Sequence, residues 1–414
     1  MSNKTKILVL GAGYGGVYTF KHLHKHFKNN PNIALKLVSK TNYFVSTPFL
    51  HEVATGNIDP EHVAEPLRKI FPGTEEFELA EVKSISLKDK KVSTGAGALS
   101  YDYLVMALGA ETNYRNTKGA REHTLTLKTL EDAIKLKNHF IATFDQAANL
   151  TNENEIKKKL RFVVIGGGAT GVELATEMSD FFYDSLGPYY TKKFVEHIEI
   201  ILVHAGDDLL PNFSRSIRLS SKKVLRKKKI EIKFGLQVTE VRPGSLVLNN
   251  SKVIEASTII WTAGVTPSSV SIEPALEREK GRIVVNQFFQ IPHHPEVFVL
   301  GDQAAFRNVG ESMALPMLAQ VAHKQADGVS LNLIRTIEGK LPVPYTYKHL
   351  GDLVSLGEWV AAGELFGFKI FGHLAWFFWR GVYLSKLLSP TKKVKVFFDW
   401  TLNLFSPRDI SAIE

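Results

Sequence analysis

Lys6-Ile-Leu-Val-Leu-Gly-Ala-Gly-Tyr-Gly-Gly16 and Arg161-Phe-Val-Val-Ile-Gly-Gly-Gly-Ala-Thr-Gly171 are two copies of one signal. Each is a short apolar strand that runs into G-x-G-x-x-G and then into a helical pattern. The glycines permit a tight turn, close approach of backbone to a pyrophosphate, and close helix–strand contact. The helix N-terminus then faces the negative charge. One match is weak evidence. Two, each behind a strand, point to a chain that holds two dinucleotides and passes something between them.

A chain of 414 residues has room for two or three cores, and its 44% hydrophobic and 22% charged residues fit a folded globular protein. It contains no cysteine. Disulfide frameworks, thiolate metal sites, iron–sulfur clusters and dithiol relays are thereby excluded, and redox chemistry falls to a bound cofactor. The net charge of +9 suits anionic cofactors or an anionic membrane surface. No nucleic-acid fold signature accompanies it, so no nucleic-acid partner is expected. Met1-Ser-Asn-Lys-Thr-Lys6 leads into the first strand without a signal-peptide apolar region, which predicts a cytosolic start.

The pattern predicts an α/β protein with two Rossmann-like, doubly wound nucleotide-binding domains. The first domain takes residues 1–150, with a second strand at Ile33–Val38 and a later one at Tyr101–Leu108. Helical periodicity runs from about Leu130 to Ala148, and Asn149–Lys159 reads as a polar linker. The second domain takes 151–275, with a helix over Val172–Phe182 and strands at Ile198–Val203 and Ala256–Gly264. Val297-Phe-Val-Leu-Gly-Asp302 is a strand on which the chain returns to the first domain, so residues 276–340 make that domain discontinuous. The tail, 341–414, differs in character, and its stretch Phe366–Phe405 is dense in Phe and Trp mixed with Lys and Arg. It has no run of the roughly 18–20 apolar residues that span a bilayer, and reads as an interfacial amphipathic segment or as ordinary core plus surface.

Gly11, Gly13 and Gly16 are candidates for the first dinucleotide, and Gly166, Gly168 and Gly171 for the second. The second-strand end, where an acid often bonds a ribose hydroxyl, holds Ser39 followed by Lys40 in the first copy and His204 in the second. Histidine there does not decide between NADH and NADPH. Glu173 falls in the predicted first turn of the second loop's helix. It serves the helix dipole there, or it points to the reacting end of the nucleotide as an orienting or proton-relaying acid. Asp302 is placed to bond a cofactor hydroxyl, or is a plain turn residue after Gly301.

Together the two fingerprints and Val299-Leu-Gly-Asp-Gln303 resemble the two-dinucleotide flavoprotein reductases. Thr47-Pro-Phe-Leu-His-Glu-Val-Ala-Thr-Gly56, Trp261-Thr-Ala-Gly-Val265 and Leu315-Pro-Met-Leu-Ala-Gln-Val-Ala-His-Lys-Gln325 narrow the resemblance to the type II NADH dehydrogenases, single-chain NADH:quinone oxidoreductases. The resemblance covers nearly the whole chain. It implies FAD on Gly11, Ala12, Gly13, Tyr14, Gly15, Gly16, Ser39, Lys40, Asp302, Ala319 and Gln320. It implies NADH as substrate on the second fingerprint, with Glu173 the acid near the nicotinamide. Quinone would approach Gln320, and Lys324 stands where the family has a second glutamine, with Gln325 one residue later.

The implied activity is hydride transfer from NADH to FAD, then two-electron reduction of a membrane quinone without proton pumping. No metal is required. The implied place is peripheral, on the cytoplasmic face of the cell membrane, where Lys386, Lys392, Lys393 and Lys395 would meet anionic lipid. There is room for a homodimer. Sulfide:quinone oxidoreductases, near relatives, use active-site cysteines and are excluded. The alternatives are a soluble NAD(P)H-dependent flavoprotein reductase with another acceptor, and a nucleotide-sensing protein without turnover.

Overall fold

The computed structural model describes residues 4–72 and 76–412. The chain divides into two compact units. One takes the chain as far as Val45, then Ala64–Glu111 and Val265–His349; the other takes Ser46–Val63, Thr112–Gly264 and Leu350 onward.

In the first unit, Ile7, Leu8, Val9 and Leu10 are all buried, as a strand covered on both faces requires. Thr5–Leu10 pairs in parallel with Ile33–Ser39 on one side and Tyr103–Met106 on the other, with Val9 opposite Leu37 and Val105. The sheet order is Gln290–Ile291, His294–Val299, Tyr103–Met106, Thr5–Leu10, Ile33–Ser39, Phe77–Leu79. His294–Val299 joins in parallel with Tyr103–Met106. The returning chain therefore completes the sheet that the N-terminal segment began, and the domain is discontinuous. The predicted strand stops at Val299, and Gly301–Gln303 is a 3₁₀ turn that carries Asp302.

The second unit repeats the plan with five parallel strands, ordered Leu125–Thr126, Thr258–Trp261, Arg161–Ile165, Glu199–Val203, Ile230–Lys233. Helix Leu130–Ala148 covers it and starts on a capping box. The Asp132 N–H donates to Thr129 Oγ1, and the Thr129 N–H donates to Asp132 Oδ2, both at 3.1 Å. Phe140, Phe144, Phe162 and Phe182 form the aromatic core beneath it.

Two sequence expectations need correction. Asn149–Lys159 contains a helix, Glu153–Lys159, capped by Asn152, whose side chain accepts from the N–H groups of Asn154 and Glu155. It buries nothing, so it left no apolar period to read; caps and charge order hold it, with Glu first and Lys last. The second loop's helix begins at Ala169, not Val172. It widens after Asp180 into a π-helical turn over Phe181–Leu186.

The tail of the second unit is a three-stranded antiparallel sheet, Gly351–Ser355, Ala361–Leu365 and Phe368–Phe371, followed by helices Gly372–Ser385 and Pro390–Leu402. Among the described residues, no helix is long and apolar enough to cross a membrane.

Candidate active site

Both glycine loops are built for backbone proximity. Gly11 has φ +97°, and a Cβ there would lie 2.3 Å from the Ala107 carbonyl oxygen; a Cβ on Gly16 would lie 1.8 Å from that of Gly11. In the second loop Gly166 has φ +123°, and a Cβ on Gly171 would lie 1.9 Å from the Gly166 oxygen. Gly13 and Gly168 differ from these: a Cβ on either meets nothing within 4 Å. Each is the N-cap of its helix, Tyr14–Phe27 or Ala169–Asp180, and neither helix has a side-chain cap. Two helix N-termini with open approach and no side-chain acceptor fit two pyrophosphates.

Two of the strand-end side chains accept from backbone N–H groups, Ser39 from its own turn and His204 from the second glycine loop. Ser39 is buried, and its Oγ accepts from the Thr41 N–H at 3.2 Å, while Lys40 is exposed. His204 Nδ1 accepts from the Gly167 N–H at 3.1 Å, and burial lowers its pKa, so a neutral ring braces the second loop. Ala12 is half-buried. Tyr14 is buried edge-on against Phe44.

Within the first unit, the turn bearing Asp302 meets the helix Ala319–Ile337, of which Ala319 and Gln320 are the first residues. Gln325, which carried no role in the sequence reading, makes the junction: it is fully buried, and its Oε1 accepts from the Gly301 N–H at 2.7 Å. A Cβ on Gly15 would touch the Leu300 side chain at 3.2 Å, which brings the first loop's helix to the same turn. Lys324 points outward, about half exposed and 3.7 Å from Asp327. His323 lies against Tyr18, ring centroids 3.9 Å apart.

Glu173 is the fifth residue of its helix, one turn beyond the dipole position expected for it, and no acid occupies the first turn. Its side chain is only 14% exposed. Glu173, Glu177 and Asp180 share one face of the helix by their spacing of four and three. The Ser355 N–H donates to Glu173 Oε1 at 3.1 Å, and His51 Nδ1 lies 4.0 Å from Oε2. Burial, then the nearby Glu52 and Glu177, outweigh the Ser355 bond and push the Glu173 pKa up to about 8. His51 is held down to about 3, by burial first and Arg408 second, and is a neutral imidazole.

Around this acid stands a buried polar network absent from the sequence reading. The Trp400 Nε1–H donates to Glu52 Oε2 at 2.7 Å. Arg408 pairs with Glu177 at 2.8 Å and donates to Thr55 Oγ1 at 3.1 Å. Lys228 pairs with Asp180, whose Oδ2 also accepts from the Glu358 N–H at 2.6 Å. Arg380 is sandwiched between Trp376 and Trp400, 3.6 and 4.6 Å from their ring centres. The signal available in sequence was the run of acids at 173, 177 and 180 on a helix with no basic residue.

The tail helices carry their apolar residues outward. Leu374, Phe377 and Phe378 on one, and Val394, Phe397, Phe398 and Leu402 on the other, are exposed, as is Phe405 beyond them at 85%. Lys386 lies over the Tyr383 ring and Lys392 donates to the Glu61 carbonyl, whereas Lys395 is exposed.

A family model described as pyridine nucleotide-disulphide oxidoreductase matches residues 5–326, and one described as NDH2 C-terminal domain matches 349–409. The chain is 30% identical over 379 residues to the type II NADH:quinone oxidoreductase of Staphylococcus saprophyticus, covering 91% of this chain and 93% of that one. It is 28% identical over 445 aligned positions to the internal alternative NAD(P)H-ubiquinone oxidoreductase A1, mitochondrial, of Solanum tuberosum, covering 99% and 88%. Among solved structures, NDH2 from Plasmodium falciparum in complex with NADH superposes with a TM-score of 0.91 at 21% identity over 99% of this chain and all of that one. The sulfide:quinone oxidoreductase of Aquifex aeolicus superposes at 0.74 with 18% identity, covering 97% and 95%. At those identities the two structures speak for the fold.

Proposed function

This chain belongs to the pyridine nucleotide-disulphide oxidoreductases and, within them, to the type II NADH:quinone oxidoreductases; from that membership we propose that it carries an electron pair from NADH to a membrane quinone, with FAD as resident cofactor and no coupled proton pumping. The observation that carries the reading is the pair of glycine cradles, alike in build, in a chain without a thiol. The disulfide chemistry in the wider family's name has no residue here to perform it.

The residues fit the implied cofactor. The first cradle, open at Gly13, would hold the FAD pyrophosphate; Ser39, Lys40, Asp302, Ala319 and Gln320 would hold the rest. When bound, the flavin supplies the ring that takes the hydride and passes the electron pair on. Gly166, Gly168 and Gly171 would seat the NADH pyrophosphate, with the His204 ring bracing the loop. Glu173, buried on the helix that follows and protonated at neutral pH, supplies a proton, since quinone plus hydride needs one more to become quinol. Gln320 and Lys324 would orient the quinone carbonyls. The outward apolar faces of the tail helices, with Lys395 beside them, suit peripheral docking on an anionic bilayer.

The test is purification with identification of the bound cofactor, followed by anaerobic mixing with NADH or NADPH and then a short-chain quinone. A yellow protein that NADH bleaches and quinone recolours is expected. Protein that stays colourless when FAD is added, or a reduced form that quinone leaves bleached, overturns the reading.

A further inference from the structure

Among the described residues, the cluster around Glu173 in the second unit holds more negative charge than positive. Glu52, Glu173, Glu177, Asp180 and Glu358 face Arg380, Arg408 and Lys228. At the rim Asp184 and Lys229 cancel each other, and His51 is neutral. Five carboxylates against three cations leave two charges in excess, out of water, which a folded interior does not tolerate. Two bound protons or one divalent cation would remove them.

The geometry says where the protons go. Glu177, Asp180 and Glu358 have cationic partners or backbone donors: Arg408 for Glu177, Lys228 and the Glu358 N–H for Asp180, Arg408 at 3.9 Å for Glu358. Glu52 has the Trp400 indole and the field of Arg380, itself held between two Trp rings, and Glu173 has one backbone N–H. Both stand against one imidazole. His51 Nδ1 is 4.0 Å from Glu173, and a ring nitrogen of His51 lies within 4.8 Å of carboxylate oxygens of Glu52 and Glu177. His51 is 3% exposed, and its Nε2 makes no hydrogen bond. A neutral imidazole has one N–H donor and one bare acceptor, which is what a relay between two carboxyls uses.

We propose that Glu52 is a proton store for Glu173: both carboxyls carry a proton in the resting protein, and Glu52 refills Glu173 through the His51 ring. In the step, the Glu52 O–H breaks and its proton bonds to one His51 nitrogen. The other nitrogen releases its proton to the Glu173 carboxylate, and the ring changes tautomer. No electrons move, and closing the gaps to hydrogen-bond length takes about 1 Å at Glu173 and up to about 2 Å at Glu52. The store rests on the quinone-reducing reading only for the fate of the proton. Burial and the Glu177 charge, working against Arg380 and the Trp400 bond, set Glu52 at about 7, in line with the charge count.

The experiment uses the holoenzyme. In infrared spectra near neutral pH, wild type should show carboxylic-acid carbonyl absorption, part of which disappears in Glu52→Gln and a further part in Glu173→Gln. Glu52→Gln keeps an acceptor for Trp400. It should leave NADH bleaching of the flavin unchanged while slowing quinol formation about tenfold below about pH 7, where Glu52 holds its proton, and Glu52→Asp should restore most of the rate. The idea is overturned by wild type without the Glu52 band, by one equivalent of divalent metal in the purified protein, or by equal slowing of both half-reactions. Because the infrared arm needs no substrate, it decides the store even where quinone turnover is absent.

Discussion

Glu173 can be tested with a single-atom change. Glu173→Gln preserves the acceptor for the Ser355 N–H but has no acidic proton, so quinone turnover should fall about a hundredfold while the protein purifies with its usual FAD. Apo protein from that variant would mean the acid supports the fold instead. Gly16→Ala tests the first cradle from the opposite side. Its Cβ would stand 1.8 Å from a backbone oxygen, so the loop must shift, at a cost of about 1–3 kcal/mol, and the variant should emerge without flavin absorbance. Lys324→Gln should change the KM for quinone several-fold more than that for NADH, because the half-exposed ammonium touches only Asp327 among its ion-pair partners in the described residues; a change confined to NADH would contradict its assignment. The glycines and Glu173 were legible because backbone clearance and helix position are local properties. Gln325 was not, since its work is a bond to Gly301, twenty-four positions away.

At the scale of elements, the tail is both surface and core. Arg408 reaches Thr55 and Glu177, Trp400 reaches Glu52, and Asp399 pairs with His62 at 2.6 Å. Cutting the chain after Leu365 would remove Arg380, Trp400 and Arg408 together and leave Glu52 and Glu177 buried without them. A lost cation in such a pair alone costs about 3–5 kcal/mol, so truncation would report unfolding in place of membrane release. The informative variant changes only exposed rings: Phe377, Phe378, Phe397 and Phe398, all to Ser. It should stay in the supernatant when anionic vesicles are sedimented, with its melting temperature and its activity toward a water-soluble quinone kept; unchanged sedimentation would remove the docking role. The sequence made the aromatic density of the tail visible, yet the split into inward Trp376, Trp379 and Trp400 and outward Phe required the strands and helices on which they sit. Helix Glu153–Lys159 escaped notice for the opposite reason, having no buried face at all. The paired sheets were legible because strands covered on both sides read as unbroken apolar runs.

For the whole molecule, the buried groups predict how stability follows pH. Glu173 at about 8 and Glu52 at about 7 lie above the 4.5 of an exposed glutamate, so the folded state binds more protons than the unfolded chain from about pH 4.5 up to those values. Their contribution is complete below that window and is lost as pH rises through it, at up to about 1.4 kcal/mol per pH unit for each proton. His51 at about 3 and His139 at about 4 act in the other direction: against an ordinary 6.5, the folded state binds fewer protons, and stability is lost as pH falls below that value. Between about pH 4.5 and 6.5 the two pairs oppose each other, and above 6.5 only the glutamates remain. The melting temperature of the holoenzyme should therefore hold nearly level to about pH 6.5 and decline toward pH 8. In the Glu52→Gln, Glu173→Gln double variant the amides keep the acceptors without the ionisation, so only the histidines remain: the melting temperature should rise to about pH 6.5 and then stay level to pH 8. Thermal melts of the two proteins across that range decide it: parallel declines would place the proton release outside these two carboxyls, and the charge count in the second unit would need another pair to carry it.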